Sequence, residues 1–327
     1  MKRRSGKAIG GLVSFGFLLL SISYPFAQEF PQRPVNIVVA LDPGSTQDVA
    51  TRVLSSKVEK SLGQPFVVSN NGTGGGSVAL GILAKEKPDG YHLGCVGSVM
   101  VACVPQVRPV AYKPEDFVPI MHFGATQYGF AVRSDSPWKT LKEFAEYAKK
   151  NPGKVTVGTL EVGTLLHMAV EFVARQEGFQ WTHIPYPGGN AATTALLGGH
   201  LTAESGATTL IPHVKAGSLR LLATYGEKRM RTFPDVPTLR ELGYDFGLNS
   251  MYVLLAPKGT PFPIVKKLDE AFRKAMNDPE FTMTAEKFEI DVSYRNAEDV
   301  KRYLEEAYAR YGKMIKEFKI QKPPEKK

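Results

Sequence analysis

Four short segments combine glycine with small hydroxyl and amide residues, and each comes directly before a predicted helix. Such segments suit anion binding, because unpaired N–H groups and the positive end of the helix dipole attract negative charge without a charged side chain. One of them lies within the stretch SNNGTGGGSVALG. The four segments are Asp42–Asp48, Asn70–Ser77, Gly158–Thr164 and Pro187–Asn190.

The glycine-rich segment does not fit a nucleotide site well. Gly74, Gly76 and Ala79 match the relaxed dinucleotide fingerprint, but the acidic residue expected about 20 positions later is missing. Asp89 comes too early, and no Gly-Lys-Ser/Thr follows to make a phosphate-binding loop. The sequence therefore favours an anion other than a nucleotide, and we expect no cofactor.

Signatures of catalysis are also weak. There is no Gly-x-Ser-x-Gly elbow, and the six histidines show no metal-ligand spacing. His167 lies three residues into a helix that follows a candidate loop, where it would either contact a ligand or pack half-buried. An enzyme acting on a small acid would have only His167, Asp42 and Asp48 available, so we expect a protein that is not an enzyme.

The elements that must position these loops alternate between strands and helices. VNIVVA (Val35–Ala40), PFVV and YHLGCVG have strand character, and helices are predicted after Asp48 and over Val78–Lys87. This alternation predicts an α/β fold in which each lobe is a mostly parallel sheet covered by helices. The carboxyl ends of parallel strands, and hence the loops, would meet at one edge.

Two strand–helix segments repeat one plan, which predicts two lobes. YGFAVRSDSPWKTLKEFAEYAKK and MYVLLAPKGTPFPIVKKLDEAFRKA each place a proline near the helix start, and a second α/β unit lies between them. We expect lobe 1 to comprise 28–130 and 251–327, and lobe 2 to be the inserted 131–250. The ligand cleft would lie between the lobes, with hinges near Gly129–Val132 and Tyr252–Leu255.

The N-terminus resembles an export signal. A basic start and a short apolar run predict a signal peptide over residues 1–27, cut near Ala27, with an uncleaved anchor as the alternative. Removing its four basic residues would lower the net charge from +9 to +5. No basic stripe with interleaved aromatics suggests nucleic-acid binding. Cys95 and Cys103 would either pair in an oxidising compartment or remain two small buried hydrophobes.

Several longer segments together resemble one family. RPVNIVVALDPGSTQDVATRV, NNGTGGGSVALGILAKEKPDGYHL, IPYPGGNAATTALLGGHL and RTFPDVPTLRELG are similar to the substrate-binding receptors of tripartite tricarboxylate transporters, also called Bug-type receptors. The resemblance implies a monomeric periplasmic binding protein of the two-lobe type II fold. Such a protein captures a small organic carboxylate and delivers it to the membrane permease. A receptor that reports to a signalling kinase remains an alternative.

The resemblance also implies which residues contact the ligand, largely through backbone N–H groups. Ser98, at the end of a strand, is a further candidate on its position alone, or else an ordinary turn residue. The implied ligand contacts are Pro43, Gly44, Ser45, Thr46, Asp48, Thr73, Gly74, Gly75, Thr159, Gly163, Thr164, Gly189, Asn190 and Ala191.

Asp42 departs from the family pattern, which usually has a non-acidic residue there. If its carboxylate faced the cleft, it would repel a second ligand carboxylate and favour an amino group. The alternative is a turn aspartate that faces water. The identity of the ligand is therefore not implied by the resemblance.

Overall fold

The computed structural model describes residues 30–160, 162, 164–246 and 250–318, and the predicted signal peptide lies outside these ranges. The first part of the chain comprises β1 (Val35–Val39), α1 (Thr46–Leu62), β2 (Phe66–Asn70), α2 (Ser77–Leu83), β3 (His92–Gly97), α3 (Ser98–Ala102), α4 (Val104–Val107) and β4 (Phe117–Thr126). The middle part comprises β5 (Gly129–Arg133), α5 (Leu141–Lys150), β6 (Thr156–Thr159), α6 (Leu165–Glu177), β7 (Thr182–Pro185), α7 (Gly189–Leu197), β8 (Ala203–Gly206), α8 (Ile211–Lys215) and β9 (Leu219–Thr224). The last part comprises β10 (Ser250–Pro257), α9 (Phe262–Ala275), α10 (Pro279–Lys287), β11 (Arg295–Asn296) and α11 (Ala297–Glu317).

The larger sheet has the strand order β11-β4-β10-β3-β1-β2. β1 pairs in parallel with β2 and β3, with Val35 opposite Phe66 and Asn36 opposite His92. β10 pairs antiparallel with β3 and β4, and β11 pairs antiparallel with β4. The predicted α/β sheet covered by helices is confirmed, and the sheet is mixed rather than mostly parallel.

The smaller sheet follows the same plan in the order β7-β6-β8-β5-β9. β6 pairs in parallel with β7 and β8, whereas β5 pairs antiparallel with β8 and β9. β5 follows β4 of the larger sheet, and β10 follows β9 of the smaller sheet. Each of these two strands pairs antiparallel with its neighbours, which makes both sheets mixed.

The two predicted repeats are confirmed as β5–α5 and β10–α9. Thr140 caps α5 by accepting a hydrogen bond from the Glu143 N–H, and Glu143 bonds back to the Thr140 N–H, which completes a capping box. In α9, proline occupies the first turn. The predicted apolar faces are buried in both helices: Leu141, Phe144, Ala145 and Ala148 in α5, and Val265, Leu268, Phe272 and Ala275 in α9.

Helix α2 is shorter than the predicted Val78–Lys87, because it ends at Leu83. The predicted hinge segments lie in the two strands that the sequence indicated, Gly129–Val132 within β5 and Tyr252–Leu255 within β10. Their role as hinges stays a prediction.

The two cysteines lie in different hydrophobic clusters and are not joined by a disulfide. Cys95, in β3, accepts hydrogen bonds from Thr51 and Gln47. Cys103 packs among residues such as Tyr311. Both cysteines are therefore small buried side chains, the second of the two alternatives. Among the residues that the structure describes, no helix is long and apolar enough to cross a membrane.

Candidate functional site

The four candidate loops lie where parallel strands end and helices begin. Because β1 pairs with β2 and β6 pairs with β7, the loops of each pair lie side by side. Equivalent hydrogen bonds join them: the Asn71 N–H donates to the Val39 carbonyl at 3.0 Å, and the Tyr186 N–H donates to the Thr159 carbonyl at 2.9 Å. The structure thus brings the predicted segments together in two pairs.

Asp48 ties the first loop to the second. Its buried carboxylate accepts hydrogen bonds from the Gly44 N–H at 2.9 Å, from Arg52 Nε at 2.9 Å and from Asn70 Nδ2 at 3.0 Å. Ser45 begins α1 by accepting a hydrogen bond from the Asp48 N–H. Because its carboxylate accepts three hydrogen bonds, Asp48 fixes the shape of the first loop.

The glycine-rich second loop depends on left-handed backbone. Gly74, Gly75 and Gly76 have φ values of +60°, +62° and +93°, which residues with a Cβ adopt only at a cost. Gly76 is also pressed against β1, since a Cβ there would lie 2.3 Å from the Ala40 carbonyl oxygen. Thr73 lies at the start of this loop, and its N–H donates to Asn71 Oδ1 at 3.2 Å.

The exposed Asp42 lies at the junction of the first two loops. Its carboxylate occupies the space beside Gly72, where a Cβ would lie 2.4 Å from Asp42 Oδ1. Pro43 follows it and is also exposed. Asp42 therefore contacts the second loop directly, and a role in ligand selection stays a prediction.

Arg108 is a candidate residue that the sequence interpretation missed. Its Nη2 atom donates to the Gly74 carbonyl oxygen at 2.5 Å, which brings a positive charge to the glycine loop. Gly75 faces the same guanidinium, 3.2 Å from the position of its Cβ. No motif surrounds Arg108, and it lies more than thirty positions from the loop, so no sequence signal connected the two.

Hydroxyl groups connect the first loop to the centre of the larger sheet. The Thr46 hydroxyl lies 2.5 Å from the Tyr252 hydroxyl, which also accepts from Thr126 at 3.0 Å. Burial raises the pKa of Tyr252 to about 12, so its hydroxyl stays protonated at neutral pH. Ser98 is buried and accepts the Met251 N–H at 3.0 Å, which uses its hydroxyl to hold β10.

In the smaller sheet, Thr159 and Thr164 flank the third loop, and Gly163 lies outside the described residues. Thr159 is buried, and its hydroxyl donates to the Leu160 carbonyl at 2.7 Å and lies 2.7 Å from His183 Nε2. Thr164 begins α6 by accepting the His167 N–H at 3.4 Å. Hydroxyl groups therefore form hydrogen bonds at the two described ends of this segment, at Thr159 and at Thr164.

His167 packs against two aromatic rings. Its ring centre lies 4.7 Å from that of His183 and 5.6 Å from that of Trp181. Burial, helped by the nearby His183, lowers the pKa of His167 to about 4. His167 is therefore uncharged at neutral pH and belongs to an aromatic cluster behind the loop.

The fourth loop leaves the start of α7 open. Asn190 and Ala191 are exposed, and Gly189 is partly buried. No side chain of the described residues caps this helix, in contrast to Ser45 on α1 and Thr164 on α6. The first N–H groups of a helix have no partner within it, so the start of α7 suits an anion.

Together the loops offer backbone donors and helix N-termini, which suits a carboxylate. Among the described residues, no cluster of histidine, cysteine, aspartate or glutamate is placed to hold a metal ion.

Comparison with known proteins identifies the family. A family model described as the tripartite tricarboxylate transporter family receptor matches residues 50–320. The chain is 38% identical over 297 residues to the Cupriavidus necator protein named "UPF0065 protein in gbd 5'region", covering 90% of each chain. A crystal structure of a TctC solute binding protein from Polaromonas, without ligand, has a TM-score of 0.79 and 28% identity, covering 88% of this chain and 99% of that one. MatC from Rhodopseudomonas palustris with bound malate has a TM-score of 0.71 and 27% identity, covering 88% and 100%.

The match covers most of the chain in both sequence and fold, and it confirms the resemblance drawn from the loops. The chain belongs to the receptor family of the tripartite tricarboxylate transporters.

Proposed function

We propose that this protein is an extracytoplasmic receptor that captures a small organic carboxylate between two lobes and delivers it to a membrane permease. The observation that carries the proposal is the pairing of candidate loops at the carboxyl edge of each sheet, with α1, α6 and α7 beginning there. A carboxylate held by N–H groups shielded from water forms stronger hydrogen bonds than a neutral ligand. Malate bound in MatC supports this ligand class.

Lobe 1 would comprise 28–130 and 251–327, and lobe 2 would comprise 131–250. We propose that they close by bending at the two connections between the sheets, one of which is Gln127–Tyr128. The carboxylate of Glu289 accepts hydrogen bonds from Lys215 and Thr232 of lobe 2. The closing motion would have to keep this contact. The closed form would be the one that the permease recognises.

The site also supports a receptor over an enzyme. Asp48 is occupied by three donors, and His167 packs in an aromatic cluster. Of the three side chains that an enzyme would have available, Asp42 is the one that is exposed. Export through a signal peptide cut near Ala27 remains part of the proposal.

Thermal unfolding against a panel of mono- and dicarboxylates, aromatic acids and amino acids tests the function. At 100 times its dissociation constant, a ligand adds about 2.7 kcal/mol, which should raise the unfolding temperature by about 5 °C or more. We expect a selective rise with one acid and no turnover of it. Turnover would favour an enzyme, and a panel without any rise would contradict carboxylate binding.

A matched pair of variants locates the site. Asn190→Asp keeps the side-chain shape and places a negative charge at the open start of α7, which favours the helix but repels an anion. We expect it to weaken carboxylate binding by about tenfold or more. Asn277→Asp makes the same change at an exposed turn after α9 and should bind like the parent. Equal affinities in both variants would exclude the start of α7 from the site.

A further inference from the structure

Glu204 is a buried carboxyl group behind the open start of α7. It lies in β8, beside Ala131 of β5 and Gly158 of β6, and is 1% exposed. Gly206 leaves room for it, since a Cβ there would lie 2.5 Å from Glu204 Oε1. None of the loop chemistry described above uses this carboxyl.

The surroundings of Glu204 favour an uncharged acid. Among the described residues it forms no ion pair, its Oε1 atom contacts the Thr193 hydroxyl at 3.1 Å, and its Oε2 atom has no hydrogen-bond partner. A buried carboxylate with a single hydroxyl partner is costly, so the proton is retained. Burial accordingly raises the pKa of Glu204 to about 8.

Two threonines connect Glu204 to the candidate site. The Thr193 hydroxyl, in α7, lies 3.2 Å from the Thr209 hydroxyl. Thr209 is partly exposed and lies against the first residue of α7, because a Cβ on Gly189 would be 2.9 Å from Thr209 Oγ1. A chain of three polar groups therefore runs from the buried acid to the place where an anion would bind.

The protonation of Glu204 sets the direction of this chain, because a hydroxyl donates only one hydrogen. A proton on Oε1 lets Glu204 donate to Thr193, Thr193 donate to Thr209, and Thr209 donate outward. A proton on Oε2 would leave a buried donor without an acceptor, which costs more. An ionised Glu204 would instead accept the single hydrogen of Thr193, which removes the bond that Thr193 donates to Thr209 and lets Thr209 donate to Thr193 rather than outward.

We propose that Glu204, as a carboxylic acid, is a positioning residue that makes Thr209 a hydrogen-bond donor to the ligand carboxylate at the start of α7. This inference rests on the proposed function, since it assigns Thr209 and Glu204 to the same site. It predicts that the receptor prefers a carboxylate there when Glu204 is protonated and loses that preference when Glu204 ionises.

Other ionisable side chains lie on the elements around Glu204, and several of them form contacts of their own. Tyr225 interacts with it electrostatically, while its hydroxyl bonds to Ser205. The ionisable side chains on the elements packed around it, and directly after β9, are Arg133, His167, Glu171, Arg175, Glu177, His213, Lys215, Arg220 and Tyr225. Arg133 pairs with Asp135, and Arg220 is held by backbone carbonyls.

The test begins without ligand. Carboxyl-carbon NMR of the receptor, with Glu204→Gln to assign the signal, should give a Glu204 pKa near 8. Thr193→Val should raise this pKa further, because the threonine hydrogen bond lowers it. A Glu204 pKa near its ordinary value of 4.5, or one that does not change in Thr193→Val, would overturn the proposal.

The second step measures binding by calorimetry at pH 6.5 and pH 9.5, with malate as the probe or the panel acid that gives the largest thermal shift. We expect the parent to bind about tenfold more weakly at pH 9.5, and Glu204→Gln to show no such pH dependence. Thr209→Val should bind more weakly at pH 6.5 and lose the pH dependence, and Thr209→Ser should restore both.

The outcomes separate this inference from the proposed function. A pH dependence that persists in Thr209→Val would show that the charge of Glu204 acts through space and not through the threonine hydroxyls, which would overturn this inference. Equal carboxylate binding by the parent at both pH values would overturn the role of Glu204 and Thr209 and leave the proposed function standing. If the parent bound no carboxylate at either pH, the proposed function and the role of Thr209 would both fail.

Discussion

Replacing Gly76 by alanine should test whether the glycine loop is shaped by contact with β1. The left-handed φ of +93° costs an alanine about 1–2 kcal/mol. In addition, the new Cβ would lie 2.3 Å from the Ala40 carbonyl oxygen, where contacts under 3.0 Å are essentially never seen. The loop and the strand must therefore separate by about 0.7 Å, and overpacking of this kind costs about 1–3 kcal/mol.

We therefore expect Gly76→Ala to lose about 3–4 kcal/mol of unfolding free energy, measured by urea denaturation. Gly63→Ala is the matched control, because Gly63 is also left-handed, with a φ of +71°, but its Cβ would meet nothing within 4 Å. It should lose only about 1 kcal/mol. The displaced loop should also weaken carboxylate binding by about tenfold to a hundredfold, since one lost N–H bond to a charged group is worth about 1.5–3 kcal/mol.

Equal destabilisation by Gly76→Ala and Gly63→Ala would refute this reasoning. It would mean that the loop is not pressed against β1 and that its glycines serve only the backbone angles. Loss of stability in Gly76→Ala without any loss of affinity would instead show that the loop does not contact the ligand.

Three further predictions concern buried polar groups. Asp48→Ala should lose about 3 kcal/mol in urea denaturation because it removes a buried carboxylate that accepts three hydrogen bonds, while the exposed Asp245→Ala should change stability by less than about 0.5 kcal/mol. Similar losses would show that the hydrogen bonds of Asp48 between the first two loops are unimportant. The pKa of Glu204 is raised in the folded state, so its stabilising contribution is complete below pH 4.5 and is lost as the pH rises towards 8. The parent should therefore lose on the order of 3 kcal/mol relative to Glu204→Gln between pH 5 and pH 8, and parallel curves would contradict this. Cys95 and Cys103 are buried, with pKa values raised to about 12. A thiol reagent should therefore modify neither in the folded protein and both once the protein is unfolded without reductant. Fewer than two modified thiols after unfolding would indicate a disulfide.

Local features of this fold were predictable from the sequence. Thr140 and Glu143 form the capping box that their spacing allows, and Thr164 begins the helix predicted from it. The periodic apolar faces of α5 and α9 are buried as predicted. These features depend on residues three or four positions apart, so the sequence alone carries the information.

Features that depend on distant residues were not predictable. The position of β10 between β3 and β4 follows from a chain that leaves one sheet and returns to it much later. Arg108 contacts Gly74, and Glu204 faces Thr193, because separate elements pack together. Asp48 was identified as a candidate, but the sequence could not show that its carboxylate points to Gly44 and Asn70.

The central position of β10 has a consequence for the order in which the protein can assemble during synthesis. All five strands of the smaller sheet lie within residues 129–224 and so exist before Ser250 is made. A chain that stops before Ser250 should therefore protect the smaller sheet from protease and leave β4 accessible, and protection of β4 in such a chain would contradict this. Among the described strands, β10 joins β4 to β3 and so to β1 and β2. The larger sheet is begun first during synthesis, but it can be completed only after the smaller one.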